Sequence, residues 1–194
     1  MPDGSRLVLV VGPSGAGKDS VIRGAQLALA KRTDVVFPRR VITRPPDASG
    51  GEDHEPCEPA AFERHAAAGA FALHWQANGL RYGVPATIDG DLAADRAVVV
   101  NVSRAIIPAA ETRYPGLCVC VITASPAVLA ARLRQRGRES ADEIATRLGR
   151  ADAFTVSARH VRTIDNDGPL AASVDALVAA IDFGPRASTR AAAR

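Results

Sequence analysis

The chain has 194 residues and 47% hydrophobic composition, enough to bury one core, so we expect one domain over residues 1–183. The net charge is +3, but Arg186, Arg190 and Arg194 lie in a stretch without acids that begins at residue 184. The remaining 21 basic and 21 acidic residues balance, which argues against a nucleic-acid-binding surface. Small polar residues without periodicity predict that 184–194 is a disordered basic tail.

Hydropathy and cysteine content exclude further classes of protein. No apolar run reaches the roughly 18 residues that a membrane span needs, so we expect no membrane partner and a cytoplasmic location. Cys57, Cys118 and Cys120 form no CxxC pair, which excludes a disulfide framework and a zinc site. Cys118 and Cys120 alternate within an apolar run and are interpreted as small buried strand residues. A homodimer is left open.

The first predicted strand, Leu7 to Val11, leads directly into a glycine-rich segment. That segment reads Gly12, Pro13, Ser14, Gly15, Ala16, Gly17, Lys18, Asp19 and Ser20. Its glycines let the backbone turn tightly enough to aim several N–H groups at one polyphosphate, and Lys18 adds a cation. A simple turn is disfavoured because a β-branched strand precedes the segment and an apolar-periodic helix follows it. The segment is predicted to bind ATP, with Lys18 as a catalytic residue.

Asp19 is the irregular residue of this loop. The common pattern has Ser or Thr after the lysine, and that hydroxyl ligates magnesium, whereas here the hydroxyl of Ser20 comes one residue late. Magnesium prefers hard anionic oxygen, which makes Asp19 the candidate metal ligand. In the alternative interpretation Asp19 caps the following helix and Ser20 is the ligand.

Later strands and helices alternate along the chain. Strands are predicted at Leu7 to Val11, Ala97 to Val102, Leu117 to Thr123 and Val161 to Asp165, and helices at Ser20 to Lys31, Ile106 to Tyr114, Pro126 to Arg136, Glu143 to Ala158 and Leu170 to Ile181. Short continuous β-branched runs between helices are typical of a buried parallel sheet. The predicted fold class is therefore α/β, a P-loop NTPase fold with a parallel sheet and helices on both faces.

Two segments do not follow that alternation, and both are rich in groups that bind phosphate. The segment from Val36 to Asp91 is predicted to be irregular and contains Arg39, Arg40, Arg44, His54, Arg81 and Tyr82. The segment from Arg132 to Arg147 contains Arg132, Arg134, Arg136, Arg138 and Arg147 around Gly137. A solvated helix face is the alternative for the second segment, but its arginine density favours phosphate binding.

The order of phosphate loop, arginine-rich insertion, Arg-Gly-Arg segment and late Asn-Asp resembles the guanylate kinase family from about Arg6 to Ile181. The resemblance implies a core, an acceptor-binding insertion over about 36–91 and a lid over about 132–147. It implies that Arg136 and Arg147 clamp the transferring phosphoryl group and that Asn166 lies beside the adenine. A non-catalytic binding module of this family is the alternative, disfavoured because the loop, Lys18 and the lid arginines are all present.

The acceptor site departs from that family. Thr43-Arg44 and the Tyr82-Gly83 pair match its phosphate-binding residues, but its base-binding polar residues are replaced by Leu73, Val84 and Asn101. Guanine's donors would be left unpaired in such a pocket, which costs on the order of 10⁴-fold in discrimination. GMP is therefore predicted to be a poor substrate, although a nucleoside monophosphate kinase of altered base preference stays an alternative.

The replacing residues resemble the ribose 1,5-bisphosphate phosphokinases of phosphonate catabolism, which use ATP to make 5-phosphoribosyl 1-diphosphate. The resemblance is carried by the loop, by Ile42 to Pro45 with Gly50 to His54, by His74 to Gly83 and by Asn101 to Ala105. It implies ATP and Mg²⁺ as cofactors and a small phosphate ester as acceptor. Candidate acceptor-binding residues are Arg40, Arg44, His54, Arg81, Tyr82, Asn101 and Arg104. His74 and Trp75 are interpreted as either core or ligand residues.

Overall fold

The chain forms a larger parallel sheet enclosed by helices and a smaller sheet built from the inserted segment. A computed structural model describes residues 6–45, 52–136, 140–152 and 154–182, excluding the side chains of 136, 141, 147 and 150–152. The strands are β1 Leu7–Val11, β2 Val35–Val36, β3 Arg40–Ile42, β4 His54–Pro56, β5 Phe71–Ala77, β6 Leu80–Pro85, β7 Ala97–Asn101, β8 Cys118–Thr123 and β9 Val161–Asp165. The helices are α1 Lys18–Ala28, α2 Pro59–Ala67, α3 Ile88–Ala93, α4 Ile107–Arg113, α5 Pro126–Arg136, α6 Ala141–Asp152 and α7 Leu170–Asp182, with a 3-10 turn at Arg104–Ile106.

The five strands of the main sheet follow the order β2-β7-β1-β8-β9, and every neighbouring pair is parallel. Central strand β1 is fully buried, and its residues alternate between two apolar clusters. One cluster includes Ile88 of α3 and Ile107 of α4, and the other includes Val21 of α1 and Leu177 of α7. Helices therefore cover both faces, and the predicted α/β fold is confirmed.

Cys118 and Cys120 lie on β8 as unpaired, buried core residues, as predicted for small strand side chains. No helix in the described ranges has both the length and the apolar character to cross a membrane. The predicted basic tail, 184–194, lies outside the described residues.

Helix α6 was predicted at Glu143 to Ala158, but it begins at Ala141 and ends at Asp152. Its start is set by a reciprocal capping pair that the prediction missed. The backbone N–H of Ser140 donates to the Glu143 carboxylate (2.8 Å), and the N–H of Glu143 donates to the Ser140 hydroxyl (3.3 Å). These two bonds satisfy amides that have no partner within the helix, which fixes its first turn.

The described residues of the insertion, 36–45 and 52–91, form regular strands and helices, so the prediction of an irregular segment was wrong there. It forms a four-stranded sheet of order β4-β3-β6-β5, in which β3 is antiparallel to β6 and β6 is antiparallel to β5. Asn78 and Gly79 join β5 to β6 with positive φ angles of 50° and 74°. Asn-Gly between two strands is a strong hairpin signal, because both residues adopt this conformation at low cost.

A small aromatic core joins this sheet to α2. The rings of Phe62 on α2 and Phe71 on β5 are stacked, with centroids 4.6 Å apart. Gly83 on β6 lies against the Phe71 ring so closely that a Cβ atom there would come within 2.6 Å of Phe71 Cδ1. The absence of a side chain at Gly83 is therefore what lets the Phe71 ring pack on β6.

We expect Gly83→Ala to destabilise the protein by about 1–3 kcal/mol, because the new methyl group overpacks the Phe71 ring. Thermal unfolding should show this as a lower Tm. The matched control is Gly90→Ala in α3, where a Cβ would have no neighbour within 4 Å. The control should be neutral or mildly stabilising, since alanine favours a helix more than glycine does. Equal Tm values for the two variants would contradict this packing argument.

Candidate active site

A cleft of about 1010 Å³ opens at the carboxyl ends of β1 and β7, between the glycine-rich loop and the insertion. This is where open parallel sheets place their ligands. Of the predicted site residues, the cleft is lined by Ser14, Gly15, Gly17, Lys18, Asp19, Ser20, Arg40, Arg44, Tyr82, Asn101 and Asn166. The remaining loop residues, Gly12, Pro13 and Ala16, belong to the same turn behind that lining.

The loop wraps around the start of α1 in the way that its glycines predict. Gly17 caps the helix with a φ of 84°, and a Cβ atom there would come within 2.6 Å of Asn166 Nδ2. Lys18 Nζ donates to the carbonyl oxygens of Gly12 (2.8 Å) and Pro13 (3.0 Å), across the turn. The lysine ammonium is therefore held at the loop beside the helix N-terminus, a position that favours anions.

Asp19 lies in the first turn of α1 and faces the end of β7. Its Oδ1 accepts a hydrogen bond from Asn101 Nδ2 over 3.1 Å. The sequence had placed one residue in the loop and the other at a strand end, and the structure brings them together in the cleft. Asn101 thereby orients the carboxylate that was predicted to ligate the metal.

Asn166 lines the cleft and is also bonded to the loop. It is buried behind the loop, where its Nδ2 donates to the Ala16 carbonyl (2.7 Å) and its Oδ1 accepts from the Ser173 hydroxyl (2.8 Å). Arg132 donates to the backbone oxygens of Asn166 (2.7 Å) and Ala16 (3.4 Å). Because both ends of the Asn166 amide are bonded to protein, this side chain holds the loop, and its place beside the adenine stays a prediction.

Arg40 was predicted to bind the acceptor, but its guanidinium is bonded to Glu52. Nε donates to Oε1 over 2.7 Å and NH2 donates to Oε2, which makes a two-bond pair. The same guanidinium lies 5.6 Å from the Trp75 ring centroid and 5.2 Å from that of Tyr82, and these two rings stack at 5.4 Å. Arg40 is thus a buried cation paired with Glu52, and both residues line the cleft.

His54, also a predicted acceptor ligand, is only 4% exposed and is bonded to backbone. Its Nδ1 lies 2.9 Å from the carbonyl oxygen of Glu52 and its Nε2 lies 3.1 Å from that of Arg44. The prediction is corrected, because the ring ties together the two residues that flank segment 46–51. Arg44 itself lines the cleft, and its buried Nε has no hydrogen-bond partner among the described residues.

Arg81 points away from the cleft, which corrects its predicted role. Adjacent residues on a strand face opposite sides of the sheet, so when Tyr82 faces the cleft, Arg81 faces α2. There its NH2 pairs with Glu63 over 2.6 Å. Its backbone pairs with Thr43 through bonds of 2.9 and 3.0 Å, so this residue supports Arg44 from behind.

Arg104 is also placed outside the cleft lining. Its guanidinium lies 4.8 Å above the ring of Phe154, which follows α6. The predicted acceptor contact is replaced by a contact between the 3-10 turn and the end of the segment that contains the lid. The two predicted clamp residues end α5 (Arg136) and lie within α6 (Arg147), and their side chains fall outside the described part of the structure.

Two residues of the cleft lining, Glu52 and Arg132, were not assigned individual roles from sequence, and the role of Trp75 was left open. Glu52 stood within the quoted Gly50 to His54 motif and Arg132 within the arginine-rich segment, but nothing in the sequence showed what they contact. Trp75 proves to be a half-buried residue that packs on Tyr82 and on the core, while its neighbour His74 is exposed. The contacts of Glu52 and Arg132 join residues that are distant in the chain, and no pattern in the sequence predicts such contacts.

Comparison with known proteins agrees with this geometry. The family model for guanylate kinase matches residues 4–181. The chain belongs to the guanylate kinase family. It is 60% identical over 153 residues to a ribose 1,5-bisphosphate phosphokinase, PhnN, of Acidiphilium cryptum, covering 79% of this chain and 81% of the relative. The PhnN protein of Brucella melitensis is 47% identical over 171 residues, 88% of each chain.

A solved structure, the guanylate kinase of Anaplasma phagocytophilum, shares the fold. It superposes with a TM-score of 0.65 at 17% sequence identity and covers 93% of this chain and 86% of its own. The predicted resemblance to the ribose 1,5-bisphosphate phosphokinases is confirmed by the curated relatives, and the guanylate-kinase-like fold by this neighbour.

We expect Asn166→Ala to weaken nucleotide binding and lower the free energy of unfolding by about 1–3 kcal/mol, because the Ala16 carbonyl and the Ser173 hydroxyl lose a buried partner. Titration with a fluorescent ATP analogue and thermal unfolding measure the two effects. Ser173→Ala is the control: it keeps the Asn166 bond to Ala16, so nucleotide affinity should change less. Unchanged nucleotide affinity in Asn166→Ala would contradict a role in shaping the loop.

Proposed function

We propose that this protein transfers the γ-phosphoryl group of ATP to the C1 phosphate of ribose 1,5-bisphosphate, giving 5-phosphoribosyl 1-diphosphate and ADP. The carrying observation is a cleft that joins the phosphate loop to the insertion, where Arg44 lines the cleft and the base-binding polar residues of guanylate kinases are replaced by Leu73 and Val84. The curated relatives are named for this activity, and they support the proposal at up to 60% identity.

The acceptor wall explains why a nucleotide base is a poor fit. Leu73 and Val84 pair across β5 and β6 and are buried in the apolar core, at 4% and 0% exposure. Trp75 and Tyr82 continue that surface outward as a stacked pair. Leu73 and Val84 offer guanine no hydrogen bond where guanylate kinases have polar side chains, whereas a sugar bisphosphate has no base to accommodate.

Arg44 is the residue that we assign to the acceptor phosphate. The residue lines the cleft on the insertion side. A phosphate there would accept hydrogen bonds from the guanidinium, since this planar group matches two phosphate oxygens at once. The Thr43 and His54 contacts hold the Arg44 backbone in place for this.

The chemistry requires positioning more than proton removal. The attacking oxygen already belongs to an anionic phosphate, so it forms its bond to the γ-phosphorus while the bond to the oxygen bridging the β- and γ-phosphorus breaks, and ADP leaves. Charge is spread over the transferring group in such a transition state, and fixed cations stabilise it. Lys18 and the loop amides supply positive charge from the nucleotide side. The family resemblance implies that Arg136 and Arg147 supply it from the lid side.

We expect ribose 1,5-bisphosphate to be phosphorylated far faster than GMP, and Arg44→Ala to raise the KM for ribose 1,5-bisphosphate by about 10- to 100-fold through loss of a charge-assisted contact. Coupled ADP-release assays with both acceptors measure this. Arg81→Ala is the matched control, because its guanidinium pairs with Glu63 on the other face and should leave this KM near wild type. Comparable turnover of GMP would reject the proposal in favour of a nucleoside monophosphate kinase.

The residues at the loop fit a magnesium ion that arrives with the nucleotide. The described ranges contain no group of three or more His, Cys, Asp or Glu side chains that could hold a metal by themselves. Asp19 supplies one hard carboxylate, oriented by Asn101, and magnesium commonly takes its other ligands from phosphates and water. A bound magnesium would neutralise charge on the phosphates, while Asp19 and Asn101 fix where that charge sits.

Asp19→Ser restores the common loop sequence and removes the carboxylate, so we expect it to need several times more magnesium for half-maximal rate. Adding Asn101→Asp should recover part of the loss, since it returns a carboxylate to the adjacent strand end. Magnesium titrations at saturating ATP give the comparison, with Asn101→Asp alone as the control. Wild-type magnesium dependence in Asp19→Ser would leave Ser20 as the ligand and Asp19 without a metal role.

A further inference from the structure

Glu52 is an acid in a cleft that otherwise serves anionic ligands, and its surroundings hold it there. Its carboxylate receives both bonds of the Arg40 guanidinium, which the stacked rings of Trp75 and Tyr82 flank. The Glu52 side chain is 20% exposed and lines the cleft, whereas that of Arg40 is 8% exposed. A surface acid needs no such support, so this carboxylate is positioned rather than merely solvated.

The pair leaves Glu52 with unused acceptor capacity. A carboxylate has about four acceptor positions, and a two-bond arginine occupies two of them. The Arg40 cation also offsets the negative charge, which lets an acid sit near phosphates with little net repulsion. The remaining acceptor positions are open to hydrogen-bond donors in the cleft. On a sugar bisphosphate, the hydroxyl groups are the donors.

One ring lies between the backbones of Glu52 and Arg44. His54 lies with Nδ1 at the Glu52 carbonyl and Nε2 at the Arg44 carbonyl, at 2.9 and 3.1 Å. The cleft lining therefore contains both an arginine and a carboxylate with acceptor positions that Arg40 does not occupy. That combination is complementary to a ligand that carries a phosphate and vicinal hydroxyls together.

We propose that Glu52 binds the ribose hydroxyls of the acceptor and so selects for the sugar, while Arg44 holds a phosphate. Carboxylates bind ribose hydroxyls in other nucleotide-binding folds through the same hydrogen bonds. Arg40 is then a positioning residue that acts through Glu52, and the stacked rings keep it in place. The inference rests on the proposed function, since it specifies how the same acceptor is chosen.

The test compares ribose 1,5-bisphosphate with its 2-deoxy and 3-deoxy analogues as acceptors. Wild type should lose about 10- to 100-fold in kcat/KM on at least one deoxy analogue, the range for a hydrogen bond to a charged group. Glu52→Gln should raise the KM for ribose 1,5-bisphosphate and reduce the same preference to about threefold or less. Glu55→Gln is the control, because this exposed acid on β4 does not line the cleft and should keep the wild-type preference.

A second variant guards against loss of folding. Glu52→Gln leaves Arg40 as a buried unpaired cation, which can unfold the protein. The double variant Arg40→Met with Glu52→Gln removes both charges together. If the single variant unfolds, the preference of the double variant for ribose 1,5-bisphosphate over its deoxy analogues is measured instead. Wild type using both deoxy analogues as well as the ribose compound would overturn the inference. The inference would also be overturned if Glu52→Gln lowered the KM for ribose 1,5-bisphosphate and kept the wild-type preference over the deoxy analogues. That result would mean that Glu52 only competes with phosphate for Arg40. Failure of wild type on ribose 1,5-bisphosphate itself would instead reject the proposed function.

Discussion

The phosphate loop depends on a buried amide that lies more than a hundred residues away in the chain. Asn166 follows β9, bonds the Ala16 carbonyl and receives the Ser173 hydroxyl, so it connects the loop to the sheet edge and to α7. Gly17 has no room for a Cβ because the Asn166 amide occupies that space. The loop is therefore shaped from outside as well as by its own glycines. A nucleotide meets a turn whose conformation is already selected, which lowers the entropy that binding must overcome.

The acceptor side depends on the two faces of one hairpin. Tyr82 and Trp75 share a face, where they flank Arg40, while Arg81 and Gln76 share the other face. A shift of one residue in the pairing of β5 with β6 would exchange these sets and place the Arg81 guanidinium in the cleft. The tight Asn78-Gly79 turn and the Phe71 ring against Gly83 both fix that pairing. The register of a small sheet thus decides which arginine serves the cleft.

The sequence predicted the parts of the fold that are written in local patterns. β1, the loop and the parallel strands follow from β-branched runs and glycines, and β1 and β9 keep the predicted bounds. The small sheet was missed because β3 and β4 have only three residues each, too few to show a period. That Arg81 and Tyr82 face opposite sides of the sheet was predictable from strand alternation, once the Asn78-Gly79 hairpin was recognised. His54 between two carbonyl groups was not, since backbone acceptors leave no trace in side-chain composition.

The charged side chains that line the cleft do not balance the negative charge of the two proposed substrates. Its lining holds five cations, Lys18, Arg23, Arg40, Arg44 and Arg132, against three acids, Asp19, Glu52 and Asp53. Each phosphate monoester carries about −1.5 to −2 near pH 7, so a sugar bisphosphate alone brings about −3 to −4, and ATP adds more. A net charge of about two cannot offset both substrates at close range. In the proposed reaction, the rest of the positive charge would come from a divalent cation bound to the nucleotide or from the arginine-rich segment Arg132 to Arg147. The acid at Glu52 increases that demand, and its retention in the cleft is reasonable only if it contributes a contact that a cation could not make.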